Sequence, residues 1–537
     1  MLRVSKDDRL KRLLEAGFFP AQVPPPFISR DFARYRRFLR LNWPTKDVEA
    51  FSSDPEQYTV PKYGRARRRF SIVNPVNHYK VAEIIANEWS EIRKFLKSSK
   101  ISEFKPIFDM TGERAFFGID FGRIEARTVE LLANHRSCLK TDISRYYHTI
   151  YTHSIPWALY GKSYCKANYK TTAFKKTVGD RLDKAVRQCQ GDQTIGIPVG
   201  PDTSRVIGEI IGVGIEREIN SLLRDFDKRS LRYVDDIQIG FGETESVDGL
   251  LGTITRAFSK FELDINAEKT SIFGVGEIVS PEWIASLRSF KLSRRNSSQI
   301  RDIEHYFKSA LYYSQENYRD QVLIYAIKRS RSFEISDVAF PYYISFLLRL
   351  CRKDSACLPS VVQILTESRY FKRNINFELV KKFIVDIISY NAPIHSYFEV
   401  SWALFLAKSL SITLSKRELT PVFEAESSIC ALLVMDLNAR ALVKGGIDAT
   451  YWLTHYNVDG LRSNMWLFVY EATLKGWVSS ASPCFVTNHP IFGIMLKKGI
   501  SFYDMRRNVS TTARELRSLR IRNWLTKHVA ELAERYF

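Results

Sequence analysis

Apolar positions Val81, Ile84, Ile85, Trp89, Ile92 and Phe95 recur at helical spacing and predict a helix across that span. Ahead of them, the string VPPPF, Val23 to Phe27, is expected to be extended, because each proline restricts the residue before it. From Leu139 to Phe273 the period shortens: alternating runs that predict strands are separated by Gly/Pro turns and by helices. Beyond about residue 300 alternation fades, and VVQILTESRYF, FELVKKFIVDIISY and EVSWALFLAKSL carry helical apolar periods with polar breaks between them. The last segment, TARELRSLRIRNWLTKHVAELAERYF, predicts a basic amphipathic helix with Arg514, Arg517, Arg520 and Arg522, more simply read as a solvated face than as a nucleic-acid contact. An α+β part followed by a stacked all-helical part is therefore expected.

Four stretches carry candidate chemistry. SLRYVDDIQIGF, Ser230 to Phe241, alternates in polarity on both sides of an acidic pair, which predicts a hairpin with Asp235 and Asp236 at its tight turn. Adjacent carboxylates repel, and folding has no need of them inside an apolar hairpin. A divalent cation offsets the repulsion; a plain Asp-Asp surface turn is the alternative. CLKTDISRYYHTI, Cys138 to Ile150, predicts a strand that delivers Asp142, then a turn bearing two aromatics. Three carboxylates on neighbouring strands suit two divalent ions about 3.5–4 Å apart, with Mg²⁺ the oxygen-seeking choice and Mn²⁺ its substitute.

GIPVGPDTS, Gly196 to Ser204, predicts a bend at which backbone approaches a ligand closely. Asp202 or Thr203 would then cap a helix whose apolar positions include Val206, Ile207, Ile210 and Ile211. In VDGLLGTITRAFSKFELDINAEKTSIF a helical stripe of Val247, Leu250, Leu251, Ile254, Phe258 and Phe261 leads to a strand near Ser271, with Lys269 on the connecting turn.

Composition sharpens this picture in three respects. The 537 residues exceed the length of one ordinary domain. An excess of 80 Lys+Arg over 59 Asp+Glu leaves +21, which favours polyphosphate partners, although ribosomes, acidic lipids or solvated faces would also accommodate it. Seven cysteines without a C-x-x-C pair predict reduced thiols and neither a disulfide framework nor a zinc site. The start, MLRVSKDDRLKRLLEAGFF, lacks an apolar core of the secretory kind, and no stretch has the length of a membrane span, so a cytoplasmic protein without membrane contact is expected.

Taken in chain order, the four stretches resemble the reverse-transcriptase family. TDISRYY is similar to its first palm motif, GIPVGP to the nucleotide-pocket motif, YVDD to the metal hairpin and INAEKT to the motif after it, collinear over roughly residues 60–290. The resemblance implies an N-terminal segment and fingers over 1–95, a palm with the polymerase site over 96–295, and an all-α helical domain of HEAT-like repeats over 296–537. It implies that Asp142, Asp235 and Asp236 are catalytic and, with the Ile143 carbonyl, hold the metal ions. Tyr147, five residues after Asp142, matches the aromatic that excludes a ribose 2′-hydroxyl. Gly196, Pro198, Lys269, Arg67 and Arg69 would contact the nucleotide, the arginines as part of the basic fingers strand.

Within the family, GFFPAQVPPPF, YTHSIPWALYGK and the long helical half resemble the bacterial abortive-infection group, AbiK and its relatives among the unknown-group defence reverse transcriptases. That resemblance implies antiphage defence by a homo-oligomer that polymerises dNTPs without a template, leaving single-stranded DNA attached to a tyrosine of its own. An RNA-templated enzyme using a noncoding RNA or belonging to a mobile element is the first alternative. A catalytically silent RNA-binding scaffold is the second. The NAxxH and VTG signatures of retron enzymes are not in place, since NAPIH falls at Asn391 to His395. Tyr233 and Tyr147 speak against an RNA-directed RNA polymerase.

Overall fold

The alternating stretches become strands, and the order in which they pair decides which carboxylates meet. The computed structural model describes residues 4–118, 121–243, 245–276, 281–367, 375–478 and 484–509, so the basic segment from Thr512 onward lies outside the described residues. The chain divides into two compact units, one of residues 1–20, 29–55 and 71–280, the other of residues 21–28, 56–70 and 281–537.

In the first unit, strands β3 (Ser137–Asp142), β4 (Ser230–Tyr233), β5 (Asp236–Phe241) and β6 (Ser271–Gly274) form a sheet in the order β4-β5-β3-β6. Every pairing is antiparallel. One face is covered by the helix Phe121–Asn134, where Leu131 and Leu132 pack with Cys138 and Leu231 and draw in Ile124 and Phe273. The helical stripe expected before Lys269 forms Val247–Lys260, with Leu250, Ile254 and Phe258 buried and the Ser246 side chain capping its first turn. The stripe through Val81 and Phe95 forms two helices instead of one, Pro75–Asn87 and Trp89–Leu96, because Glu88 leaves helical geometry between them.

The cap expected ahead of Val206 is not made. The helix Asp202–Leu222 begins with Pro201 as its flanking residue and has no side-chain cap. The Asp202 carboxylate accepts instead from the Arg114 guanidinium at 2.7 Å and from the Ala115 N–H at 2.8 Å. A full cation outside the helix competes successfully with an N–H of the first turn.

The second unit is helical apart from two small ladders. Helices Asn296–Glu316, Val322–Ser330, Phe340–Lys353 and Leu358–Thr366 are followed by Phe377–Asn391, Tyr397–Ser409, Ser428–Ala439 and Trp466–Lys475; each packs on the next or on the next but one, as Val322–Ser330 does on Leu358–Thr366 and Leu358–Thr366 on Tyr397–Ser409. The helices Tyr397–Ser409 and Ser428–Ala439 are buried on nearly every side, as helices apolar all round must be. Strands β7 (Leu414–Ser415) and β8 (Val443–Lys444) form a two-residue parallel ladder. The hairpin of β1 (Glu56–Pro61) and β2 (Arg67–Ile72) roots in these helices through alternate side chains of β1. Glu56 accepts from Ser427 at 2.6 Å, and Tyr58 shares a 2.7 Å hydrogen bond with Ser401.

The proline string is also not continuously extended. The Phe27 N–H donates to the Pro24 carbonyl at 3.2 Å and closes a turn, after which Phe27 bridges Tyr503. Proline presets the backbone angle of a turn as readily as that of an extended strand.

Among the described residues no helix is long and apolar enough to cross a membrane. Cys138, Cys165, Cys189, Cys351, Cys357 and Cys430 are buried free thiols.

Candidate active site

Register brings the aspartates together. Asp142 ends β3 and pairs directly with Asp236, the first residue of β5, while Tyr233 of β4 pairs with Asp236 from the other side. Only Val234 and Asp235 are left for the turn, so Asp236 belongs to the strand and not to the turn expected for it. The turn is strained: Val234, a β-branched residue, sits at φ +56°, a conformation costing roughly 1–3 kcal/mol. The Ile143 N–H donates to the Asp235 carbonyl at 3.3 Å, tying the turn to the end of β3.

Three carboxylates this close disturb one another. Burial, followed by the charges of Asp142 and Asp236, pushes the Asp235 carboxyl up to about 7. The Asp236 carboxyl is also raised, first by burial, and its side chain comes within hydrogen-bonding reach of Asp142. Lys269, on a turn of 3-10 helix before β6, forms an ion pair with Asp142. Burial alone would lower the Lys269 ammonium; contact with Asp142 outweighs it and raises it. Asn266 completes the surround, its N–H donating to the Asp142 carbonyl at 2.8 Å and its amide to the carboxylate at 3.4 Å.

The remaining expected site residues fall in two places. Tyr147 packs its ring against Gly208 of the Asp202–Leu222 helix, where an added Cβ would lie 3.1 Å from its Cε1. Burial, then the charge of Asp235, raises its phenol above the ordinary range. The Gly196–Pro198 loop is stitched to the same stretch: Gly196 N–H to Ile150 carbonyl at 2.7 Å, Ile197 N–H to Tyr147 carbonyl at 2.8 Å, and Ser204 hydroxyl to Pro198 carbonyl. Gly196 adopts φ +85°, which a residue with a side chain adopts only at a cost. Arg67 and Arg69 belong to the other unit, on β2 of the hairpin. Arg67 is engaged there, bonding both oxygens of Glu399 at 2.9 and 2.7 Å and the Thr59 carbonyl at 2.9 Å, while Arg69 is exposed.

Sequence reasoning missed the group behind the turn. Arg232, 1% exposed, points from β4 toward the Asp202–Leu222 helix and meets Glu209 and Glu216. A basic residue between Leu231 and Tyr233, and two glutamates seven apart on one face of a largely apolar helix, were its legible signals.

Among the described residues, no group of three or more His, Cys, Asp and Glu side chains is gathered as a ready metal cage. The donor set nevertheless fits a hard divalent cation. Asp142, Asp235 and Asp236 offer carboxylate oxygens only, and Asp235 is raised first by burial and then by the charges of its two neighbours, beside the single cation of Lys269. Mg²⁺ or Mn²⁺ bound there would neutralise phosphate oxygens and polarise an attacking hydroxyl.

Among solved structures the chain is similar to one titled "Structure of apo telomerase from Candida Tropicalis", at 12% identity, with 72% of this chain and 70% of that one covered and a TM-score of 0.31. No curated protein matches the chain. Residues 60–301 match the family described as "Reverse transcriptase (RNA-dependent DNA polymerase)", a span that contains all three aspartates, Tyr147, Lys269 and the Gly196–Pro198 loop. That part of the chain is a reverse transcriptase domain.

Proposed function

We propose that the protein is a DNA polymerase that joins deoxynucleotides through two divalent ions at Asp142, Asp235 and Asp236, with the Ile143 carbonyl as a further ligand. The observation that carries this reading is the pairing of Asp142 with Asp236 beside the Asp235 turn, inside a reverse transcriptase domain. Phosphoryl transfer asks little covalent help from protein, so positioning and charge neutralisation are the work of the site. Lys269 keeps Asp142 in place and adds a cation near the phosphates. Tyr147 blocks a ribose 2′-hydroxyl, and the Gly196–Pro198 loop lets backbone approach the nucleotide. Arg67 and Arg69 are the fingers cations, and the functional division into 1–95, 96–295 and 296–537 belongs to the same proposal.

The finer reading is an antiphage defence enzyme of the abortive-infection kind, cytoplasmic and homo-oligomeric, that starts untemplated DNA on one of its own tyrosines. Its support is the likeness of GFFPAQVPPPF, YTHSIPWALYGK and the helical half to that group. RNA-templated synthesis is the second reading, favoured by the RNA-dependent description of the matching family.

The test is incubation of purified protein with Mg²⁺ and each labelled deoxynucleotide, without template or primer. Label retained on protein until protease digestion is expected. Product that forms only when RNA is supplied would replace the untemplated reading with the templated one, and no product under either condition would overturn both.

A further inference from the structure

From the geometry behind the aspartate turn, we infer that Arg232 is a positioning residue: its guanidinium clamps the strained Val234 peptide and thereby aims Asp235 at Asp142. The inference rests on the polymerase reading for its kinetic consequence, though not for its structural one. Arg232 Nη1 donates to the Val234 carbonyl at 2.9 Å. Its other donors are fixed, Nε on Glu216 at 2.6 Å and Nη2 on Glu209 at 2.7 Å, with Nη1 also reaching Glu209 at 3.2 Å. The carboxylates stand on the Asp202–Leu222 helix, whose Gly212 leaves the space: a Cβ there would lie 2.5 Å from Nη1. On its far side the Arg232 backbone is fastened too, donating to the Ile101 carbonyl and accepting from the Glu103 N–H, each at 2.9 Å.

Such fastening has a purpose only if something resists. Val234 holds φ +56° against its own side chain, and a residue with that preference stays there only where its surroundings over-determine it. The two turn carbonyls are held from opposite sides, Val234 by Arg232 and Asp235 by the Ile143 N–H. With the first hold released, the turn peptide is free to rotate, and the Asp235 side chain goes with it. Burial alone would lower the guanidinium, but Glu209 and Glu216 keep it charged.

Arg232→Lys tests this, because an ammonium keeps the charge but cannot span two carboxylates and a carbonyl at once. In the full-length protein, deoxynucleotide incorporation should lose about ten- to a hundredfold in kcat with KM changed less than about twofold. Adding Val234→Gly, which removes the strain the clamp opposes, should recover most of that loss. Independently of activity, hydrogen exchange at the Ile143 amide should quicken by about tenfold while the Val247–Lys260 helix keeps its protection. If Arg232→Lys fails to fold, the neutral triple variant Arg232→Met, Glu209→Gln, Glu216→Gln carries the same expectations.

Unchanged exchange at Ile143 overturns the clamp, as does wild-type kcat in Arg232→Lys or a loss that Val234→Gly leaves untouched. Wild-type protein that incorporates no nucleotide defeats the polymerase reading instead, and the exchange result then decides the clamp alone.

Discussion

Asp142, Asp235 and Asp236 are individually ordinary residues made unusual by one another. Replacing Asp235 and Asp236 together by Asn removes like charges whose mutual cost the fold otherwise bears, so the variant should melt at or above the wild-type temperature while incorporating no nucleotide. A double variant with undiminished incorporation would show that the chemistry lies elsewhere. The same repulsion sets a pH dependence. The Asp235 carboxyl stands at about 7 in the folded protein against an ordinary 3.8, so the native state holds its proton more tightly than the unfolded chain does. Stability is then undiminished below the ordinary value, falls as pH rises between the two values, and carries the full cost above about 7. That separation sets an upper bound of about 4 kcal/mol, shared among the neighbouring carboxylates. Metal-free wild type should therefore lose more melting temperature between pH 5 and pH 8 than Asp235→Asn does. Added Mg²⁺ should narrow that difference at pH 8. Glu56 and Glu471 are also raised to about 7 by burial, which is why the contrast with Asp235→Asn, and not the raw slope, is the observable.

At the scale of elements, the Asp202–Leu222 helix backs the site with two glycines. Gly208 admits the Tyr147 ring and Gly212 the Arg232 guanidinium. A methyl at Gly208 would stand 3.1 Å from Tyr147 Cε1 and 3.3 Å from Oη, so the ring must shift away from the helix. Ala is the better helix former by about 1 kcal/mol, which offsets much of the crowding. Gly208→Ala is expected to fold with near wild-type stability and to raise the deoxynucleotide KM by roughly three- to tenfold, about 1 kcal/mol. Tyr147→Ala should act oppositely and admit ribonucleotides. Equal discrimination in both variants would remove Tyr147 from the pocket.

What was legible in the sequence at this scale was local. Alternation around YVDD predicted β4 and β5, and the stripe from Leu250 to Phe258 predicted its helix, because period and burial are set by neighbours in the chain. The Asp202 cap was misread, and the Arg232 network missed, because a distant partner decided the outcome. Asp202 abandoned its cap for Arg114, 88 residues away, and the Arg232 network depends on Glu209 and Glu216 across 23 and 16 residues. Only their residue types, charged in apolar surroundings, hinted at it.

Across the whole molecule, the excess of +21 predicts that any nucleic acid is held largely through phosphates, with affinity falling steeply as salt rises. The basic hairpin separates a binding charge from a structural one. Arg65, Arg67, Arg68 and Arg69 are all exposed, but Arg67 is committed to Glu399, whose side chain is 2% exposed and which also accepts from Ser355 at 2.7 Å. Replacing Arg65, Arg68 and Arg69 by Gln should leave the melting temperature unchanged. For a single-stranded ligand it should flatten the slope of log affinity against log salt by about 2, at roughly 0.7 per lost phosphate contact. Arg67→Gln should do the reverse. It leaves a buried carboxylate without its cation, costing about 1–3 kcal/mol of stability, and changes the salt slope little. Binding titrations across a salt series, paired with thermal melts of the same variants, measure both effects. A slope that responds to Arg67→Gln as strongly as to the triple substitution would mean that Arg67 leaves Glu399 when nucleic acid binds, and that its place on the hairpin is a resting position, not an anchor.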